Sequence, residues 1–352
     1  MEEMNRRDFL KTLGVGAAAL GVGSMVSSKA LGAVSKKIDI GVCKSVRIKC
    51  ISETGWWSNP LLLSDIKQAG KGNLRKGLGV SQWEIDWNRN NCAGSCSLID
   101  VETLDGKHHK FLVDTGWDPK WMDKRFKEEK VDEMLMYKDI EFLYVTHEHL
   151  DHFWGLETTL LYNPKIKIII PTTFYPEAFH FLRGAKFLYP KAKNLIPHRG
   201  ELIRTEPGKI YKLFPGCASI AFDFPIIVRI RGEQSLFFNV KDKGMVLVTG
   251  CGHQSLITLA DFVQKNVVGG GSMYGVYGGL HLAPFGPIIP KRAHIITEMG
   301  KFNFKKVACN HCTGLPAVQK MVELGYPVVR GTARYGSISD LYVGNGDEVV
   351  FG

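Results

Sequence analysis

The stretch Phe142-Leu143-Tyr144-Val145-Thr146-His147-Glu148-His149-Leu150-Asp151-His152 decides how this chain is read. Ile140–Val145 is a short, mostly apolar run, the pattern of a strand buried on both faces. Directly behind it, seven residues hold three imidazoles and two carboxylates. In extended backbone, positions i and i+2 project to the same side, so His147 and His149 can grip one ion. Asp151 and His152 fall where the chain must turn after the strand, and can face a second. Imidazole plus carboxylate is the ligand set of a borderline hydrolytic metal, and zinc, iron and manganese all accept it. Glu148, between the first two histidines, reads as a residue that fixes an imidazole rather than binds an ion.

Outward from this point the chain is strand-rich at first. Ser45–Ser52 alternates polar and apolar residues and reads as a strand. Ser97–Val101 and Phe111–Val113 flank Asp105-Gly106-Lys107 as a hairpin. Trp121–Tyr137 reads as a charged helix, and from Ile166 onward short strands and helices alternate. That order suits an α/β chain in which two sheets pack together with helices outside. Residues 53–90 stand apart, with Trp56, Trp57, Trp83 and Trp87 among Gly, Asn, Lys and Ser. They are an insertion or lid, or the tryptophans fill core.

The motif His147-x-His149-x-Asp151-His152, after its apolar strand, resembles the metal-binding signature of the metallo-β-lactamase superfamily. Phe111-Leu112-Val113-Asp114-Thr115-Gly116 is similar to that superfamily's strand-Asp-Thr-Gly segment. The resemblance implies an αββα sandwich over residues 34–352, with the site at the edge of the two sheets. Thr249-Gly250-Cys251-Gly252-His253, Gly278-Gly279-Leu280-His281-Leu282 and His311-Cys312-Thr313-Gly314 are similar to late motifs of one branch. It is the group described as dihydropterin-ribofuranosyl-aminobenzene-phosphate synthase-like. Gly252 replaces the serine common there.

By position, the resemblance implies His147 and His149 on a first metal and Asp151 and His152 on a second, with His253 and His311 completing the set. Two divalent ions, zinc first and iron or manganese as alternatives, are the implied cofactors. Cys251 stands where many members place a bridging Asp, and is either a thiolate ligand or a buried inert cysteine. His281 is either a catalytic group that touches substrate or moves a proton, or a core histidine behind the ligands. Asp151 would also orient the nucleophile. His108 and His109, beside the hairpin turn, read as solvated. Cys309 and Cys312 form a single C-x-x-C, compatible with a disulfide or a weak zinc signal.

The N-terminus reads as an address. Asn5-Arg6-Arg7-Asp8-Phe9-Leu10-Lys11 resembles a twin-arginine export signal, followed by a Gly- and Ala-rich stretch to Val26 and small residues near Ala30 and Ala33. That apolar stretch is shorter than the ~20 residues that span a bilayer. Residues 1–33 are therefore expected to be cleaved, with an uncleaved anchor as the competing reading. The translocase would be a transient partner, the mature protein periplasmic or otherwise exported, and no stable membrane insertion is expected after cleavage.

Composition sets the remaining bounds. The 352 residues are 45% apolar and 23% charged, a soluble globular balance. The net charge of +10 is scattered, without the concentrated basic element of a nucleic-acid reader, so the expected partner is a small-molecule substrate. The expected chemistry is metal-assisted hydrolysis of an ester, lactone, amide or phosphoester. The alternatives are the transferase reaction that the branch name suggests, and a metal- or small-molecule-binding protein without turnover.

Overall fold

The structure is a computed structural model describing residues 37–53, 58–91, 94–184, 192 and 194–352. The signal-like residues 1–33, Trp56 and Trp57 lie outside the described residues.

The strands are β1 (Cys43–Ser52), β2 (Cys96–Thr103), β3 (His108–Val113), β4 (Phe142–Tyr144), β5 (Lys167–Pro171) and β6 (Leu202–Thr205), then β7 (Ile210–Phe214), β8 (Cys217–Ile226), β9 (Ile230–Val240), β10 (Gly244–Thr249), β11 (Met273–Gly279), β12 (Lys306–Asn310) and β13 (Glu348–Phe351). Hydrogen bonds link them in the order β12-β11-β10-β9-β1-β2-β3-β4-β5-β6, with β13 on β1 and β7 on β8. The join between β9 and β1 rests on the single pair Cys43 and Val240. A sheet held so weakly at one seam can fold over on itself, and the cores show that it does.

Side-chain alternation assigns the layers. Val46, Ile48, Val101 and Phe111 from one half share a core with Leu236, Phe238, Val246 and Val248 from the other. The intervening residues point outward. Leu112, Leu143 and Val145 meet a core that includes Phe126, Leu135, Phe153 and Phe181 from helices. Met245 and Leu247 meet Leu259, Val263, Ile296 and Met321 from helices on the far side. Helix, sheet, sheet, helix is the resulting stack, the expected αββα sandwich.

Two local expectations are corrected. The single helix expected over 121–137 is two, Pro119–Glu128 and Val131–Met136, because Lys130 takes a left-handed φ of 58° between them. His109 is not solvated: its ring stacks on Phe214 at 4.1 Å between centroids and its Nδ1 bonds Glu141. The segment 53–90 contains the helices Asn59–Ala69 and Leu74–Gly77, and Trp83 and Trp87 are buried in the core, Trp83 stacked on Trp154.

The site's position follows from strand direction. β3, β4 and β5 are parallel, as are β10, β11 and β12. Parallel neighbours end at the same edge, so the loops after them collect there. Asp114, His147, Cys251, His253, His281 and His311 all lie within a few residues after such strand ends.

Candidate metal centre

His147 and His149 sit in extended backbone after β4, and Leu150–Phe153 then forms a one-turn helix carrying Asp151 and His152. The motif is clamped from several sides. The amide of Leu150 donates to Gln82 Oε1, and Gln82 Nε2 bonds the Glu148 carbonyl. Gln82 belongs to the Trp-rich segment, so that segment buttresses the motif. Gly250 allows the loop after β10 to press against it, since a Cβ there would lie 2.1 Å from Thr146 Oγ1.

Hydrogen bonds to the far nitrogens fix which atom of each imidazole faces the centre. The Thr146 hydroxyl donates to the Asp114 carboxylate, so its oxygen accepts from His147 Nδ1 at 2.9 Å. That leaves the His147 Nε2 lone pair inward. His149 donates Nε2–H to the Ile227 carbonyl at 3.3 Å, leaving Nδ1 inward. His152 donates Nδ1–H to Asp114 at 2.6 Å, and His311 donates Nδ1–H to the Glu53 carbonyl at 2.7 Å. Glu233 accepts from His253 Nδ1 at 2.8 Å.

The inward nitrogens then confront one another. His147 Nε2 and His149 Nδ1 are 3.0 Å apart, and so are His152 Nε2 and His311 Nε2. Two lone pairs at that distance repel unless a cation, a proton or a metal ion, lies between them. His253 Nε2 and His281 Nδ1 are buried with no hydrogen-bond partner at all. These orphaned donors, turned inward at spacings set by the partners behind them, fit divalent metal ions. His147, His149 and His253 form one compact donor group and Asp151, His152 and His311 another, each with ligand atoms within 4.8 Å.

Electrostatics separates the two groups. Burial, reinforced by neighbouring imidazoles, holds His147 well below the ordinary histidine range. Burial likewise brings His149 down to about 3 and His281 down to about 4, so both are neutral imidazoles at pH 7. Burial opposes charge on His311 too, but the Asp151 carboxylate, 3.2 Å away, outweighs it and pushes the residue up to about 10. Positive charge is thus strongly favoured beside Asp151. Burial pushes the Cys251 thiol well up.

All six residues expected as ligands, with His281, come to one place. Sequence reading missed the groups behind them. Asp114 is wholly buried and accepts from His152, Thr146 Oγ1 and the Thr146 amide. Glu233, 20 residues before His253, accepts from the amides of Cys251, Gly252 and His253 as well as the His253 ring. A buried Glu in a strand was the available signal. Glu148 is a correction: it fixes no imidazole, and its Oε2 accepts from the Tyr175 amide. Cys309 lies in the core with the helices, whereas Cys312 lies beside Cys251, so the two ends of the C-x-x-C diverge. Asp114, His281 and His311 take φ values of 62°, 46° and 50°, strain for L-residues that gathers at this edge.

Glu233 carries a pH signature. Burial alone would raise its pKa, but the His253 ring and the loop amides outweigh that and hold it down to about 2, against an ordinary 4.5. A depressed acid contributes stability that is present above the unfolded value and is lost as pH falls through the folded one. The contribution is about 3 kcal/mol at neutral pH. In metal-free protein, denaturant unfolding should show parent exceeding Glu233→Gln by roughly that amount at pH 6, the gap closing between pH 5 and 2. A gap that does not change with pH would show that the carboxylate's charge is not what matters.

A cavity of about 270 Å3 opens onto the centre. His149, Asp151, Cys251, His253, His281 and His311 form its floor. Leu62, Ile66, Trp87, Phe285, Leu315 and Ile338 are among the apolar residues of its walls, and no Lys or Arg lines it among the described residues. Leu62, Ile66 and Trp87 bring the Trp-rich segment into the wall.

The sandwich and its metal-fitting edge define a class that comparison with known proteins supports. Residues 89–257 match the family described as the metallo-beta-lactamase superfamily, whose members are commonly metal-dependent hydrolases. Residues 3–23 match the twin-arginine translocation pathway signal sequence, which marks the chain for export. No helix among the described residues is long and apolar enough to cross a membrane. One relative, the 7,8-dihydropterin-6-methyl-4-(beta-D-ribofuranosyl)-aminobenzene-5'-phosphate synthase of Methanocaldococcus jannaschii, is 30% identical over 215 residues, 53% of this chain and 70% of its own. This chain therefore belongs to the metallo-beta-lactamase superfamily. Similar solved structures include a metallo-beta-lactamase fold protein of Bacillus subtilis, 10% identical, with a TM-score of 0.47 over 88% of this chain and all of that one. An N-acyl homoserine lactone hydrolase is 16% identical, with a TM-score of 0.36 over 74% of this chain and 88% of that one.

Proposed function

We propose that the mature protein is an exported hydrolase with two divalent metal ions, zinc foremost, that cleaves an uncharged ester or lactone bearing an apolar group. The observation that supports it is the set of inward, mutually facing lone pairs on the floor of a largely apolar cavity. His147, His149 and His253 would hold one ion, and Asp151, His152 and His311 the other. When bound, such ions supply Lewis acidity and bring the pKa of water toward 7.

The chain's own residues do the rest. Asp151 presents its carboxylate to the reaction space from the first turn of a buried helix, where it can orient the attacking water. His281, neutral at pH 7 with a free buried Nδ1, can take a proton from that water or align the substrate oxygen. The walls exclude water and receive an acyl or alkyl chain.

The synthase relative favours a second reading, transfer onto a phosphorylated aminobenzene riboside. A phosphate ordinarily meets Arg, Lys or a helix N-terminus; no Lys or Arg lines the described cavity, although the start of the helix Leu315–Glu323 does, where Gly314, Leu315 and Pro316 reach the wall. Chromogenic esters and lactones of increasing acyl length, phosphodiesters and cephalosporins, with and without chelator, decide the matter. The expected result is chelator-sensitive turnover of esters or lactones, with kcat/KM rising by about 15-fold for each pair of added methylenes that the walls bury. Turnover of phosphodiesters alone would overturn the substrate class. No chelator-sensitive turnover of any substrate would leave the binding-protein reading.

A further inference from the structure

We infer that Asn345 is the positioning residue of His311: it holds Glu53, and Glu53 holds the ring. The consequence for ion affinity rests on the two-metal reading above, whereas the placement of the ring does not.

His152 and His311 present the facing nitrogens of the second donor group, but they are anchored differently. His152 leans on the Asp114 carboxylate, which Thr146 also engages. His311 donates instead to a main-chain carbonyl, that of Glu53, at 2.7 Å. Glu53 directly follows β1 and is buried, so it lies past the register of the sheet and away from water. Its amide donates to Asn345 Oδ1 at 2.7 Å, across 292 residues. One residue thus takes a bond from Asn345 on its amide side and gives one to His311 on its carbonyl side.

The Asn345 side chain can sit only one way round. Its Nδ2 donates to the Tyr335 carbonyl at 2.8 Å, which turns Oδ1 toward Glu53. A carbonyl only accepts and a peptide N–H only donates, so a flipped side chain would break both bonds. The backbone around it is clamped as well. The Asn345 amide donates to Ser337 Oγ at 2.7 Å, Gly346 donates to the Cys50 carbonyl at 2.6 Å, and the Asp347 carbonyl accepts from the Cys50 amide at 2.9 Å. Asn345 itself is wholly buried. Buried N–H groups stay paired in native proteins. Without Asn345, the end of β1 would shift until Glu53 met another acceptor, and its carbonyl would leave the His311 ring. The segment that carries Asn345 also sets Ile338 and Tyr342 in the cavity wall, so one stretch before β13 builds part of the wall and the support of a ligand.

The test compares mature parent, Asn345→Leu and Thr332→Val. Leucine keeps about the volume of asparagine with no donor or acceptor. Thr332→Val removes a hydroxyl that bonds Asp347 Oδ1 at 2.6 Å, which loosens the same segment and leaves Asn345 in place. Isotope-edited NMR of the histidine rings in metal-free protein, assigned with His311→Ala, follows the His311 Nδ1–H proton. Chelator competition then reads the affinity of each ion. The proton is expected to be protected from solvent exchange in parent and Thr332→Val, and to be lost in Asn345→Leu. Asn345→Leu should weaken one ion by about 10-fold or more and leave the other unchanged. Thr332→Val should lower the melting temperature and leave both affinities unchanged. Asn345→Asp, which keeps an acceptor facing Glu53, should keep the proton, and Asn345→Ala carries the expectations of the leucine variant should that one not fold. A proton still protected in Asn345→Leu, equal weakening of both ions, or the same losses in Thr332→Val overturns the inference while the two-metal reading stands. A parent that holds fewer than two ions, with the proton lost in Asn345→Leu alone, overturns the two-metal reading and supports the positioning of the ring.

Discussion

Mature protein carrying His149→Ala is expected to hold about one metal ion per chain or none, where the parent holds about two. His149 Nδ1 faces His147 Nε2 at 3.0 Å, and both nitrogens are committed inward by bonds on the far side of each ring. Removing one leaves the first ion with His147 and His253 only. Two imidazoles are fewer than the three protein ligands that catalytic zinc sites keep. Turnover should fall by more than ~100-fold, beyond the loss typical of a residue that only supports a ligand. Elemental analysis of parent and variant, purified alike, checks the first part, and initial rates the second. An unchanged metal count would mean that the motif does not hold the ion.

The second large effect is expected at Asp114, which touches no cavity wall. Its carboxylate accepts from the His152 ring, the Thr146 hydroxyl and the Thr146 amide. Through His152 it fixes a ring of the second donor group, and through Thr146 it fixes His147 in the first. Asp114→Asn keeps the volume but replaces one acceptor oxygen with a donor. Partners of this kind are worth 10- to 100-fold in metal affinity where they have been removed, so a loss of about that size is expected. Because both groups share the anchor, both ions should weaken together, which a chelator competition titration would resolve. The buried donors left unpaired should also lower stability by about 1–3 kcal/mol. Loss of one ion with the other unaffected would show that the Thr146 link carries nothing.

Sequence and structure divide the description of this protein along a physical line. Local spacing determined what local spacing can: extended backbone puts His147 and His149 on one side, and a turn after a buried strand brings Asp151 and His152 around. The same periodicity placed the strands β1, β3 and β4 and gave the α/β class. Resemblance extended this to His253, His281 and His311.

Tertiary structure decided what depends on residues distant along the chain. Asp114 reaches His152 across 38 residues and Glu53 reaches His311 across 258, and no periodicity encodes such pairs. The tautomer of each imidazole follows from its far-side partner, so the direction of every lone pair was settled only by packing. Residues 53–90 lack the regular alternation that would reveal a role. Their helices and buried tryptophans nonetheless supply Gln82 behind the motif and Leu62, Ile66 and Trp87 in the cavity wall. A donor set can be written in a few consecutive residues because backbone geometry repeats locally. Its orientation and the cavity above it exist only once two sheet edges have closed together.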